Sequence, residues 1–208
     1  YKGQSVTGTT APTVVVSKNG EYLYVYYTDH SRVDNRGAQI FMARSRIADG
    51  PPLAGTWKKY YRGNFDELGL GGFDTPIING QDLAADGDAM KPGVVYSAQL
   101  DKYIMIMNLS FWKELQSLNS EHNQSGMYFS YSDDAVEWSD LEPLIIENVI
   151  PVYGKPIVWL GTILWDEGRS TEGWLIYSYS PAWGWDTTIG HTPTYMVGRR
   201  IIASHPNK

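Results

Sequence analysis

Lys91 and Lys155 each stand immediately before a proline that opens a short apolar run: Lys91-Pro92-Gly93-Val94-Val95-Tyr96 and Lys155-Pro156-Ile157-Val158-Trp159. Two ammonium groups at matched points of a repeat can converge, and a convergent pair favours an anion or the chain's own acids. Those acids crowd the stretch 63–90, which holds Asp66, Glu67, Asp74, Asp82, Asp86 and Asp88 but few strand signals. An irregular stretch of that length inside a compact domain is usually functional or mobile. Asp88 lies just before Lys91, and Asp74 stands in Phe73-Asp74-Thr75-Pro76-Ile77-Ile78, again ahead of a proline. Glu167 forms a third acidic group with Asp166, flanked by Arg169. His30, in Asp29-His30-Ser31-Arg32, can act as an acid, a base or a ligand contact near neutral pH, with Arg32 beside it. Trp183 and Trp185, in Pro181-Ala182-Trp183-Gly184-Trp185-Asp186, offer planar faces for stacking. Solvated loop carboxylates and simple lysine ion pairs would leave the same traces.

What must position these residues is a repeat. The proline-led run occurs three times, first as Ala11-Pro12-Thr13-Val14-Val15-Val16, then at Pro92 and at Pro156. Each copy leads through a turn into an aromatic or apolar strand pattern: Tyr22 to Tyr27, Tyr103 to Met107, and Trp174 to Tyr179. A third run follows each: Gln39 to Arg44, Met127 to Ser132, and Tyr195 to Ile201. The Pro12-to-Trp57 and Pro92-to-Trp138 spacings differ by a single residue. A period of about 45 residues with several strands per unit suits β-propeller blades, with a β-sandwich as the alternative. The expected units are residues 10–62, 88–145 and 152–204, with 63–90 as an insertion. Residues 111–124 have room for one helical turn. Asp133-Asp134-Ala135-Val136-Glu137-Trp138 looks like a degenerate Asp-box turn, Ser-x-Asp-x-Gly-x-x-Trp, with Tyr131 in place of the serine and Ala135 in place of the glycine. Trp57 and Trp138 are then expected to plug the spaces between sheets.

Composition narrows the function. Net charge is −6 over 208 residues, which gives no electrostatic case for nucleic acid. No apolar run is long enough for a membrane-spanning helix. Cysteine is absent, so there is no disulfide framework and no thiolate metal site. The motifs of zinc hydrolases, nucleotide-binding loops and serine hydrolases are missing. No cofactor or metal is expected, although loop carboxylates and carbonyls leave structural calcium open. Asn108-Leu109-Ser110 and Asn123-Gln124-Ser125 fit the glycosylation sequon, a pattern that recurs often by chance. A chain that starts at Tyr1 suggests a processed product or an excised piece.

The proline-led first strand, the Glu21-Tyr22-Leu23-Tyr24-Val25-Tyr26-Tyr27-Thr28 hairpin, Ile40-Phe41-Met42-Ala43-Arg44-Ser45 with its following Asp49-Gly50-Pro51, and Tyr131-Ser132-Asp133-Asp134-Ala135-Val136-Glu137-Trp138 together resemble the five-bladed β-propeller glycoside hydrolases of the arabinanase and fructosidase type. The resemblance implies an all-β fold of four-stranded antiparallel blades, about three of them in this chain. It implies a carbohydrate partner, a secreted or periplasmic setting, and further blades from the same precursor or another chain. Hydrolysis in such a fold needs two carboxyls flanking one glycosidic bond. Asp74, Asp88 and Glu167 are the candidates for that pair, with Lys91, Lys155, His30, Arg32, Trp183 and Trp185 as substrate contacts. The family carries its acids just before the proline of an inner strand. Here those positions hold Thr10 and Ala11, Met90 and Lys91, and Gly154 and Lys155, which favours the alternative of a non-catalytic binding or assembly module, whereas the acid-rich insertion with Asp74-Thr75-Pro76 favours the hydrolase.

Overall fold

The structure is a computed structural model that describes residues 8–30, 38–78, 87–111, 125–147, 149, 154–186, 190–191 and 193–204. The side chains of Gly87, Phe111, Trp185, Asp186, Gly190 and His191 lie outside that description, as do Arg32, the stretch 112–124 and the sequon at Asn123. Aromatic and β-branched residues dominate the regular segments, and these pair as strands, which is where such side chains pack best. Sheet 1 runs β1 (Thr9–Val16), β2 (Tyr22–Asp29), β3 (Gln39–Arg46), β4 (Lys58–Tyr61), β5 (Asn64–Leu68) in spatial order. Sheet 2 runs β6 (Gly87–Ser97), β7 (Lys102–Phe111), β8 (Gly126–Ser132), β9 (Glu142–Ile146). Sheet 3 runs β10 (Ile157–Asp166), β11 (Arg169–Ser180), β14 (Tyr195–Ile202), with a small ribbon of β12 (Trp185–Asp186) and β13 (Gly190–His191) between β11 and β14 in sequence. Every pairing is antiparallel. The only helical turn among the described residues is a 3-10 turn at Ile47–Asp49. The sheets therefore carry five, four and three strands, where four apiece was expected. Part of the expected insertion is regular, because β5 extends sheet 1 and Ile77 and Ile78 enter the core.

A bulge near the start of each first strand sets the true register of the repeat. Pairing jumps between Thr10 and Thr13, between Met90 and Gly93, and between Trp159 and Thr162. One residue in each bulge takes a left-handed backbone: Ala11 at φ 48°, Lys91 at 56° and Leu160 at 54°. The structural counterpart of Lys91 in sheet 3 is thus Leu160, not Lys155, which corrects the sequence alignment. Proline misled it: Pro12 and Pro92 follow the bulge residue, whereas Pro156 sits ahead of β10 and Gly161 takes the place after its bulge. Gly161 is required there, because a Cβ would meet Ile106 Cγ2 and Met127 Sδ, each at 2.6 Å. Gly93 is equally constrained, since a Cβ would drive into the Gly161 carbonyl.

Two apolar joints hold the three sheets together. Joint 1–2 buries Tyr24, Tyr26, Ile40, Met42, Val94, Tyr103, Met105 and Met107, with Trp138 packed against them. Joint 2–3 buries Ile104, Ile106, Met127, Val158, Ile163, Leu175 and Tyr177. The joints are also keyed by hydrogen bonds at the bulges. The Lys91 amide donates to Thr28 Oγ1 at 2.8 Å, and the Leu160 amide donates to Asn108 Oδ1 at 3.3 Å. Thr28 and Asn108 occupy the same register position on the second strand of their sheets, so one device is used twice. Asn108 is fully buried by this role, so its sequon is closed to a glycan. Trp57 does not plug a joint. Its indole donates to the Pro52 carbonyl at 3.3 Å, and its own carbonyl accepts from the Gly69 amide at 3.0 Å, at the outer margin of sheet 1.

Candidate functional site

Thr28 and Asn108 tie the three bulges to one end of the molecule, the end where first strands begin. Lys91 is placed there by a backbone conformation that a β-carbon disfavours, a strain of the kind concentrated at functional positions. Its Nζ lies 4.2 Å from the centre of the Trp159 ring. Burial against that ring lowers the ammonium pKa to about 8, because a desolvated cation loses hydration that no described carboxylate restores. Trp159 donates its indole N–H to the Val149 carbonyl at 2.7 Å, which fixes the plane on which Lys91 rests. Trp183 packs edge-on to Trp159, with ring centres 4.7 Å apart at 68°. The amide of Trp183 donates to the Lys155 carbonyl and its own carbonyl accepts from Gly154, so the aromatic loop is anchored to the approach to β10. On the sheet 1 side, Thr10 Oγ1 and His30 Nε2 share a hydrogen bond of 2.8 Å, and Thr10 sits directly opposite Thr28. Gln39 Nε2, Ser110 Oγ and Ser180 Oγ are buried at this end without a hydrogen-bond partner among the described residues. The result is a cationic and aromatic patch rimmed by polar groups.

The acids do not join it as a pair. Asp74 is part-buried in sheet 1, where Lys59 Nζ lies 2.9 Å from Oδ2 and the Tyr27 hydroxyl donates to the same oxygen at 2.9 Å. Burial first, and the adjoining Asp74 charge second, push the Tyr27 hydroxyl pKa far up, so Tyr27 stays a donor. Asp88 is buried on β6 and accepts from the Ala38 amide at 2.5 Å, stitching sheet 2 to the start of β3. Glu167 occupies the exposed turn between β10 and β11. Seven residues separate it from Leu160, roughly 20 Å along a strand, which puts it at the far end of the sheet. Its neighbour Asp166 pairs with Arg200 at 2.7 Å, not with Arg169. Lys155 is exposed and shares the end of the molecule with Lys91 but not its register. Trp185 is placed on β12, opposite His191, by its backbone alone.

Sequence reasoning missed Trp159, which supports Lys91, and marked Thr10 only as a place where the family carries an acid, not as the partner of His30. Both fall at the residue just before a bulge, and Met90 is their counterpart in sheet 2. Composition cannot mark such a position, whereas the pairing register does. The turn after β8 also differs by one place from the expected motif. Ser132 and Asp134 organise it, and Asp133 turns outward to pair with Lys102. Burial draws the Asp134 pKa upward, but the Glu137 and Val136 amides, each donating at 2.9 Å, outweigh it and hold the carboxyl below its usual range.

Solved structures with this arrangement of sheets exist. A thermostable family-43 glycoside hydrolase superposes with a TM-score of 0.51 at 10% identity, over 98% of this chain and 61% of that one. A structure described as a glycoside hydrolase gives 0.51 at 15% identity, over 96% and 48%. An N-acetylgalactosamine deacetylase from F. plautii, solved with blood group B trisaccharide, gives 0.50 at 14%, over 92% and 48%. Over the matched part, the chain shares the fold of these three structures. It spans about half to three-fifths of the length of the solved chains it matches. No protein-family model matches the sequence, and no curated protein does.

Proposed function

We propose that this chain is the glycan-holding part of a glycoside hydrolase-like β-propeller of five-bladed type, acting outside the cytoplasm on a poly- or oligosaccharide with acidic or sulfated groups. The observation that carries this reading is Lys91, a half-buried cation held over Trp159 and beside Trp183 at the end where the first strands begin. An indole pair suits the apolar face of a sugar ring, and a poorly hydrated ammonium suits a carboxylate or sulfate on it. The buried, unpartnered amide and hydroxyl groups at the same end suit sugar hydroxyls.

The open faces of the outer sheets support further blades. Val14 of sheet 1 is 55% exposed, whereas its counterpart Val94 in sheet 2 is 4% exposed. Leu164, Trp174, Met196 and Ile202 are exposed on the free face of sheet 3. Ser178 stands in the register of Thr28 and Asn108, ready to receive a bulge amide from a neighbouring sheet. With Asp74 and Asp88 tied into the scaffold, a catalytic acid pair would have to come from those further blades. Without one the same site binds and does not cleave.

The test is calorimetric titration at low salt with matched neutral and uronate- or sulfate-bearing oligosaccharides. The charged sugar should bind more tightly, and Lys91→Met should remove most of that preference while circular dichroism stays unchanged. Equal affinity for neutral and charged sugars would exclude the Lys91 site.

A further inference from the structure

The two joints follow one plan, and the second is unfinished. In joint 1–2 the chain leaving β8 turns at Ser132 and Asp134 and carries Trp138 back between the sheets. The Trp138 ring meets Tyr26 edge-on at 5.9 Å, and the Tyr26 hydroxyl donates to the Ala135 carbonyl at 2.7 Å. The chain then continues as β9, the fourth strand of the sheet. In joint 2–3 the register makes Ile104, Ile106 and Phe129 the counterparts of Tyr24, Tyr26 and Met42. These three residues, with Ile163 and Leu175 opposite them, line an apolar cavity of about 250 Å³. A cavity of about 150 Å³ already holds benzene. The counterpart of β8 in sheet 3 is β14, which pairs with β11 as β8 pairs with β7. Among the described residues no strand covers the outer edge of β14. Cavity and free edge thus stand where Trp138 and β9 stand one joint earlier.

We propose that this cavity and the edge of β14 form a docking site for an extended peptide segment. An aromatic side chain enters the cavity, and the strand that follows it adds antiparallel to β14. Strand addition supplies main-chain hydrogen bonds, and the pocket supplies side-chain selectivity. The chain's own example of such a segment runs from the turn after β8 into β9, with Trp138 ahead of the strand Glu142–Ile146.

The probe is a synthetic peptide copying residues 133–146, titrated calorimetrically into the intact chain. It should bind saturably, and its alanine-for-tryptophan version should bind about tenfold more weakly or worse. Hydrogen exchange should show the outward amides of β14 becoming protected on binding. Ile106→Tyr, which restores the hydroxyl that Tyr26 offers in the first joint, should tighten binding. Leu144→Glu, at the cavity rim, should weaken it and serves if the tyrosine variant does not fold. Failure of the peptide to bind, indifference to its tryptophan, or unchanged exchange in β14 would each overturn the proposal. So would free indole binding as tightly as the peptide, which would make the cavity a small-molecule site.

Discussion

The two ends of the molecule handle charge in opposite ways. At the hairpin end, cations and anions neutralise one another in the open. Lys18 pairs with Asp101, Lys102 with Asp133, and Arg200 with both Asp166 and Glu172. At the strand-start end, Lys91 is desolvated against an indole, and its pKa falls because no described anion offsets the lost hydration. Exposed pairs are cheap to make and contribute little, whereas an uncompensated buried cation costs stability. A fold tolerates such a cost where a ligand can relieve it. The contrast therefore marks the strand-start end as the place where binding of an anionic glycan is to be sought.

Four substitutions sharpen or break that contrast. The largest effect should come from the hairpin end, where Trp138→Ala removes an indole wedged against Tyr26 and should cost about 3–5 kcal/mol in chemical denaturation. A midpoint no lower than that of a surface variant would mean joint 1–2 does not depend on it. Next comes Asn108→Ala, which strips the Leu160 amide of its acceptor inside joint 2–3. About 1–3 kcal/mol should be lost, and a neutral outcome would show that the bulge clasp is incidental.

Asp134→Ala should cost less, about 1 kcal/mol, by freeing the Glu137 and Val136 amides. Because the folded carboxyl titrates below its unfolded value, this contribution is present above about pH 4 and is lost as pH falls through the folded pKa. Wild type and variant should therefore converge in acid, and a gap that persists there would rule out the carboxylate as its source. The most local effect belongs to Lys91→Met. The folded pKa of Lys91, about 8, is below its unfolded value, so the unfolded chain binds more protons between about pH 8 and 10.5. Wild-type stability should rise across that window by an increment the Met variant lacks. Affinity for an anionic sugar should fall over the same rise, as Lys91 loses its charge. Parallel pH curves for the two proteins would place Lys91 in open water.

Much of the fold is legible in the sequence because side-chain alternation and turn chemistry are local. The three aromatic runs, the third strands at Gln39, Met127 and Tyr195, and the edge position of Glu142-Pro143 all follow from patterns a few residues long. Trp138 was legible as a plug for the same reason, being tied to a turn signature. Trp57 carried only a spacing, and it packs at the outer margin instead. The site was less legible. Lys91 stood out by its place before Pro92, and Trp183 by its loop, but their meeting at Trp159 crosses from one sheet to the next.

The content of each strand is written locally in the chain: which residues alternate, where hairpins turn, and which acids and aromatics are on offer. Register between units is set by packing across the sheets. Prolines suggested that Lys155 matches Lys91, yet the matched residue is Leu160, because the bulge is placed by pairing with β11 and by the Asn108 clasp from the neighbouring sheet. That choice is made by atoms far apart in the chain, where Gly161 alone can pass between Ile106 and Met127. It moves Lys155 out of register with Lys91 and puts Trp159 beneath that lysine instead.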